Sequence, residues 1–160
     1  MHPRNQYNFD KEFDESVVEI KRISKKNKGG NTIRFSALVV VGDKKGRVGV
    51  GISKAPAVAS AIKKSIRAAK AKLLVVPMRS TTIPFSINIK FGAARILLKP
   101  APPGSGIIAG GAIRVVLEAA GIRDAVGKIL GTRNKTANVY TTVKALEKLA
   151  DIYNKKSQKK

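Results

Sequence analysis

The chain contains no cysteine, and its single histidine is His2. The absence of cysteine excludes disulfides, thiolate nucleophiles and cysteine-based zinc sites. Because no histidine lies inside the chain, Ser–His and Cys–His nucleophilic pairs cannot form, and His2 itself is expected to have no function. These kinds of nucleophilic and zinc chemistry are therefore excluded, and our overall expectation is a protein that is not an enzyme, with no catalytic residues, no metal and no cofactor.

Acidic residues are few and unevenly distributed. The 160 residues include 10 Asp and Glu against 32 Lys and Arg, which gives a formal net charge of +22. Five of the acids lie between Asp10 and Glu19, whereas the stretch from Ile20 to Leu117 contains twenty Lys or Arg residues and only Asp43. A folded surface with this imbalance favours a polyanion as partner, and nucleic acid is the first candidate. We expect the acidic segment to face a basic protein or solvent.

Long apolar runs are also missing. No run approaches the ~18 residues that a transmembrane helix requires. The start of the chain includes Asp10, Glu12 and Asp14, lacks the apolar centre of a signal peptide, and is too acidic for a transit peptide. We expect a soluble, cytoplasmic protein with no membrane partner.

Aromatic residues number only five Phe and three Tyr. Several of the Phe residues alternate with polar residues in predicted strands, where burial is the default interpretation. No aromatic platform is available on which unpaired bases could stack. Contact with phosphates and with helix shape is therefore favoured over base reading.

Apolar residues make up 43% of the chain, which is enough for a folded core. In the first half, alternation predicts strands over 16–24, 32–42 and 47–53, with a turn over 25–31. On the long second strand one face holds Ile33, Phe35, Ala37, Val39 and Val41.

The third strand and the segment after it carry further signals. Gly49 and Gly51 remove side chains from one face, which either permits close backbone packing or leaves room for a ligand. A helix is predicted over 55–74, with Pro56 in its first turn. Its apolar stripe comprises Val58, Ile62, Ile66, Ala69 and Leu73. The proline-containing segment 75–84 predicts a linker.

The second half repeats the mixture of strands and helices. Strands are predicted over 85–91, 95–99 and 122–130, and a loop over 100–111 leads into a helix that ends at Gly121. Asn134 is predicted to cap a last helix. One face of that helix holds Val139, Val143, Leu146 and Ala150.

Together these elements predict an α+β protein of two small domains. The first has a three-stranded sheet plus a helix, and the second is of ββαβα type. We expect an N-terminal extension over 1–15, domains over 16–80 and 81–153 with a boundary near Thr81, and a mobile basic tail over 154–160.

Two groups of cations suit a nucleic-acid backbone. The predicted tip Lys25 to Asn31 combines three lysines with Gly29 and Gly30, and glycine lets the backbone approach a phosphate closely. On the first helix, Lys63, Arg67 and Lys70 share a face with no acid within four positions. The alternative for both groups is an ordinary solvated surface.

The glycine-rich run from Pro103 to Gly111 could present backbone N–H groups at a helix N-terminus. It resembles the phosphate-gripping loop of small-molecule kinases of the galactokinase and homoserine kinase type, so phosphotransfer is a rival function. The run lacks a Walker lysine pattern, and only Glu118 and Asp124 offer nearby carboxylates. A structural turn or an RNA contact is therefore favoured.

Motifs in both halves resemble the small-subunit ribosomal protein five family. In the first half they are Lys28-Gly29-Gly30, the run from Phe35 to Asp43, the run from Gly46 to Gly51, and Lys54-Ala55. In the second half they are the runs from Gly104 to Arg114 and from Val116 to Gly121. The chain departs from the usual pattern at Asn31 and Thr32, after the double glycine, and at Lys135.

The resemblance implies a first domain related to double-stranded-RNA-binding domains. It implies a second domain that shares its fold with translation elongation factor domains and with those kinases. The implied function is that of a structural constituent of the small ribosomal subunit. Such a protein binds rRNA at the head–body junction, lines the path by which mRNA enters, influences decoding accuracy and touches small-subunit proteins four and eight. The Lys-Gly-Gly hairpin is implied to lie near the spectinomycin site.

The candidate RNA-binding residues are Lys25, Lys26, Lys28, Gly29, Gly30, Arg34, Lys44, Lys45, Arg47, Lys54, Lys63, Lys64, Arg67, Lys70, Gly104, Gly106, Gly110, Gly111 and Arg114. A free-standing RNA chaperone or ribosome assembly factor is an alternative function, because such a protein would be equally basic.

Overall fold

The computed structural model describes residues 12–157, so His2, Asp10 and the last three residues lie outside the described part. The elements are β1 (Asp14–Asn27), β2 (Gly30–Gly42), β3 (Arg47–Ala55), α1 (Val58–Lys70), β4 (Leu74–Val75), β5 (Ile87–Phe91), β6 (Ala94–Pro100), β7 (Ile107–Ile108), α2 (Gly111–Ala120), β8 (Ala125–Ile129) and α3 (Lys135–Ser157). The predicted α+β class is confirmed.

The first sheet has the antiparallel order β1-β2-β3-β4. Strand β2 lies inside it, and its second half, from Ser36 to Gly42, is buried on both faces. Ala37, Val39 and Val41 pack with residues of α1, as the alternation predicts. Leu38 and Val40, on the opposite face, belong to a second cluster shared with α2 and α3. Sequence alternation alone had indicated only the first of these two faces.

Helix α1 is shorter than predicted and packs through different residues. It spans Val58–Lys70 with Ala57 as N-cap, so Pro56 precedes the helix and does not lie in its first turn. Its buried residues are Ala61, Ser65 and Ala69, and of the predicted stripe only Ala69 is fully buried.

The two glycines of β3 explain this packing. A Cβ at Gly51 would lie 2.2 Å from the backbone oxygen of Ser65, and one at Gly49 would lie 2.3 Å from that of Ala69. The backbone of α1 therefore rests directly on β3, and only small residues fit at the centre of the contact. The glycines permit close packing and leave no room for a ligand.

The β1–β2 hairpin is longer and its turn tighter than predicted. Pairing continues to Asn27 and Gly30, so the predicted seven-residue turn contains only Lys28 and Gly29. The register shifts between Val17 and Glu19. This irregularity interrupts the alternation expected along β1.

The second sheet has the order β5-β6-β8-β7, with α2 and α3 packed against it. The short strands β4 and β7 were not predicted, and β7 runs parallel to β8. Helix α2 ends at Gly121, whose φ of 91° requires glycine, as predicted. Asn134 Oδ1 accepts the backbone N–H of Thr136, which confirms the predicted cap of α3.

The last helix extends into the segment that was predicted as a tail. Helix α3 continues to Ser157, and Lys156 lies over the ring of Phe85, with its Nζ 4.1 Å from the ring centroid. This contact ties the last turn of the helix to the segment before β5. None of the helices between residues 12 and 157 has both the length and the apolar content that crossing a bilayer demands.

The two halves are joined by main-chain atoms as well as by a shared core. The connection between β2 and β3 donates two hydrogen bonds to the end of α2, from Lys44 N to Ala119 O at 3.1 Å and from Gly46 N to Ala120 O at 2.9 Å. They satisfy carbonyls that a helix C-terminus otherwise leaves without partners. Gly121 and Gly42 permit this approach, because a Cβ at either would lie 2.0–2.1 Å from a backbone oxygen.

Candidate nucleic-acid interface

The β1–β2 hairpin carries exposed cations on two faces. Lys25 and Arg34 share one face, where they line a concavity of about 320 Å³ together with Ile23, whereas Lys26 points to the other face. The sequence predicts that these lysines form one cluster. The structure divides them, although all of the predicted hairpin residues are exposed: Lys25, Lys26, Lys28, Gly29, Gly30 and Arg34.

The cations of α1 lie on the side of the helix away from the sheet, because Ser65 and Ala69 face β3. Lys63, Lys64 and Arg67 are exposed. Lys70 differs from them, since its Nζ lies 2.9 Å from Oε1 of Glu15. The predicted ladder therefore contains one cation that is already paired with a carboxylate distant in sequence.

The acidic segment at the start of the described residues folds back onto the basic first domain. Asp14 pairs with Lys44 and Glu15 with Lys70. The expectation that this segment faces a basic protein or solvent agrees with its exposure, because Glu12, Asp14 and Glu15 stay exposed while they pair with cations of the same chain. Glu12, Asp14 and Glu15 partly neutralise three of the predicted RNA-binding cations far along the chain, whereas Glu19 pairs with the nearby Lys21.

Arg47 lies at the centre of these contacts. Its guanidinium is 2.6 Å from Oδ2 of Asp43 and 2.9 Å from Oε1 of Glu12, and it lies 5.1 Å from the ring centroid of Phe13. The hydrogen bonds that Arg47 donates to Asp43 and then to Glu12 raise the pKa of Arg47. The guanidinium of Arg47 thus already has partners within the same chain.

Asp43, the single acid between Ile20 and Leu117, is also hydrogen-bonded to groups of its own chain. Oδ1 of Asp43 accepts the backbone N–H groups of Lys45 and Arg47 at 2.8 and 2.9 Å. Burial raises the pKa of Asp43, but hydrogen bonds from Arg47 and from these N–H groups outweigh burial, and the pKa lies below its ordinary value. This carboxylate fixes the turn, while Lys45 remains exposed.

Part of the glycine-rich loop is already hydrogen-bonded inside the chain. The buried carboxylate of Asp124 accepts the N–H of Gly106 at 2.9 Å. The Thr81 hydroxyl and then the backbone N–H groups of Gly106, Gly104 and Ser105 lower the pKa of Asp124. Because the N–H of Gly106 is bonded to this carboxylate, the geometry disfavours Gly106 as a donor to RNA or to a nucleotide phosphate.

The remaining predicted residues lie apart from one another. Arg114 pairs with Glu118 at 2.7 Å on the exposed side of α2, and Lys54 is exposed on β3. Gly110 is the N-cap of α2 and Gly111 its first residue, and α2 has no side-chain cap. The start of α2 is therefore open.

Sequence reasoning missed a group of cations beside this open helix start. Lys128 on β8, Arg133 in the following loop and Lys135 at the start of α3 line one cavity. They come from three elements and have no common spacing. The general scarcity of acids was the only sequence signal that pointed to them.

Two family models match the chain. "Ribosomal protein S5, N-terminal domain" matches residues 13–77, and "Ribosomal protein S5, C-terminal domain" matches residues 89–159. The chain is 48% identical over 136 residues to "Small ribosomal subunit protein uS5c" of Spinacia oleracea. That match covers 84% of this chain and 44% of the relative, so the chain spans less than half of the relative's length.

Proposed function

The chain belongs to the ribosomal protein S5 family, and we propose that it is a structural protein of the small ribosomal subunit that binds rRNA. Members of the family are structural proteins and not enzymes. The proposed location is the small subunit of cytoplasmic or plastid ribosomes, with neighbouring ribosomal proteins as further partners.

One structural observation supports the proposal. The cations of the β1–β2 hairpin and the outer face of α1 are exposed, while the single acid in the central part of the chain is bound to its own turn. These surfaces therefore combine positive charge with a rigid backbone. Such surfaces bind phosphates by releasing counterions, and their fixed spacing positions them on folded RNA.

The finer features follow from the family resemblance and remain part of the proposal. They are rRNA contact at the head–body junction, a position on the path by which mRNA enters, an effect on decoding accuracy, and contact with small-subunit proteins four and eight. We also propose that the chain divides near Thr81 into a double-stranded-RNA-binding-like domain and a C-terminal domain.

Sedimentation of a lysate tests the proposal directly. The protein should sediment with small ribosomal subunits and remain with them at moderate salt. A free-standing RNA chaperone or assembly factor would instead stay near the top of the gradient or accompany only precursor particles. That distribution would replace the proposed function with the alternative.

A titration with rRNA fragments tests the mechanism. If six to ten phosphates are neutralised, the affinity should fall by roughly 10³–10⁵ between 50 and 200 mM salt. A nearly flat response would mean that lysines and arginines do not provide the binding energy. A matched DNA duplex in the same titration separates recognition of RNA shape from general attraction to a polyanion.

A further inference from the structure

The face of the first sheet that carries α1 is only partly covered by that helix. Helix α1 rests on Gly49 and Gly51 of β3, and the cluster beneath it includes Ala37 and Val39 of β2. An α-helix is about 10 Å across and neighbouring strands lie about 4.8 Å apart, so one helix covers about two strands. The edge strand β1 therefore lies beside α1 and not beneath it.

The uncovered part of this face is apolar. Strand pairing places Ile20 opposite Ala37, and Ile33 and Phe35 share the face of Ala37 by alternation. Ile20 is 44% exposed and Ile33 is 40% exposed, while Phe35 is half-buried. The three side chains follow one another over two steps of about 6.7 Å along the strands. Single exposed apolar residues are common, but a continuous strip of them marks a surface for a partner.

One side of α1 forms a wall along this strip. Ile62, Ile66 and Lys70 are four positions apart, so they share one side of the helix. That side faces β1, because Nζ of Lys70 lies 2.9 Å from Oε1 of Glu15 on β1. Ile62 and Ile66 are half-buried and pack at the border of the cluster beneath α1. The strip and this wall form a shallow apolar groove, here called the β1–α1 groove, which comprises Ile20, Ile33, Phe35, Ile62 and Ile66.

Exposed cations lie on both sides of the β1–α1 groove. Arg22 lies on the β1 side, opposite Phe35, and Lys63 lies on the α1 side, three positions from Ile66. Neither of them forms an ion pair with any residue between 12 and 157. The carboxylate of Glu15, at one end of the groove, is already paired with Lys70. The groove is therefore complementary to a partner that has carboxylates on both sides of an apolar ridge.

The apolar floor decides which kind of partner fits. An RNA backbone would satisfy the cations, but phosphates bring no apolar surface to cover Ile20 and Ile33. A second copy of this chain carries the same charge of +22 and would be repelled. An amphipathic helix presents apolar residues at positions i, i+3 or i+4, and i+7, with charged residues on either side of them. The strip of about 13 Å corresponds to about nine residues of such a helix.

We propose that the β1–α1 groove docks an amphipathic helix of a neighbouring protein. Apolar residues of that helix cover Ile20 and Ile33, and Asp or Glu residues on its flanks lie opposite Arg22 and Lys63. The docked helix lies beside α1 and completes the layer that α1 begins on this sheet. The inference deepens the proposed function and rests on it, because it states the chemistry of one of the neighbouring proteins.

Photocrosslinking tests the proposal in the full chain. A diazirine amino acid replaces Ile20, cells that produce this chain are irradiated, and the crosslinked products are identified by mass spectrometry after sedimentation. The expected product is a peptide of another protein, with more acidic than basic residues and with apolar residues at helical spacing. A crosslink to RNA, to a second copy, to residues 1–11 of the same chain or to a basic segment would overturn the proposal. So would the absence of any crosslink, because a diazirine that faces solvent reacts with water.

Variants test the role of charge. Arg22→Glu should lower the crosslink yield about tenfold or more, since it places like charges opposite each other, whereas Arg22→Lys should keep most of the yield. Lys148→Glu, which changes an exposed cation of α3, should leave the yield unchanged. An unchanged yield with Arg22→Glu would contradict the proposed complementarity. The diazirine at Phe91, an exposed apolar position of β5, should not capture the same peptide, and capture there would show that the contact is non-specific.

The same gradient separates this proposal from the proposed function. If the labelled chain sediments with small subunits but yields no acidic helical peptide, the groove proposal fails and the ribosomal function stands. If the peptide is captured by a chain that never sediments with small subunits, the ribosomal function fails and the groove stands as a docking site in another complex.

Discussion

Oδ1 of Asp124 lies 2.9 Å from the backbone nitrogen of Gly106 and accepts its hydrogen. A loop that in sequence resembles a phosphate grip is thus closed by a carboxylate of the same chain. The N–H of Gly106 is therefore not available to a nucleotide phosphate. The same contact joins the start of β8 to the loop before α2, and it therefore has a structural role that can be measured.

Replacing Asp124 by Asn should lower the melting temperature at pH 7. The pKa of Asp124 is lowered in the folded state, so its charge stabilises the fold above its unfolded pKa of about 4. That contribution is lost as the pH falls through the lower, folded pKa. Melting curves from pH 7 to pH 2.5 should therefore show the difference between the two proteins shrinking below about pH 4.

The control for this experiment is Glu147→Gln, which removes an exposed carboxylate that pairs with Lys144. It should change the melting temperature little at any pH, since exposed pairs contribute little. If the difference in melting temperature between Asp124→Asn and the parent stayed constant down to pH 3, the charge of Asp124 would not be what stabilises the loop.

Gly51→Ala should destabilise the fold by about 1–3 kcal/mol, the usual cost of overpacking. The new Cβ would lie 2.2 Å from the backbone oxygen of Ser65, so α1 must move away from β3. Equilibrium unfolding in urea measures the free energy of unfolding. The matched control is Gly29→Ala in the hairpin turn, where a Cβ meets nothing within 4 Å and φ is not positive, so stability should be nearly unchanged.

Lys63→Gln and Arg67→Gln should each reduce the slope of log affinity against log salt by about one unit or less in an rRNA-fragment titration. Lys70→Gln should reduce it by clearly less, because Lys70 is already paired with Glu15. Equal effects of Lys70→Gln and Lys63→Gln would show that RNA displaces Glu15 at no cost.

Neutralising the acidic segment should strengthen RNA binding. The triple change Glu12→Gln, Asp14→Asn and Glu15→Gln frees Lys44 and Lys70 from these carboxylates and leaves Arg47 paired with Asp43 alone. The salt slope should become steeper by up to about one unit for each freed cation that reaches a phosphate. Stability should change little, since these pairs are exposed. A slope equal to that of the parent would mean that these cations do not face RNA.

Much of the fold was predictable because its signals are local. Alternation identified the long strands, Gly121 ended α2, and Asn134 began α3. Strands β4 and β7 escaped prediction, because two residues show no periodicity. The buried face of α1 was not predicted because it depends on the glycines of β3. The sequence does not show how closely two elements approach.

The candidate interface was predictable in composition but not in arrangement. The excess of cations pointed to nucleic acid, and the hairpin and α1 are exposed as expected. The pairing of Glu15 with Lys70 joins residues more than fifty positions apart, and Asp124 reaches back to Gly106 across α2. Such contacts depend on the tertiary fold, which neither charge counts nor spacing encodes.

The main-chain hydrogen bonds that join the two halves, here called the joint, have a mechanical consequence. Because Lys44 N and Gly46 N bind carbonyls of Ala119 and Ala120, the joint uses groups that neither titrate nor attract counterions. The two hydrogen bonds themselves are therefore little screened by salt, although the turn that carries their donors depends on the Asp43 carboxylate. They fix the connection between β2 and β3 against the end of α2, so exposed surfaces of the two halves keep a set separation.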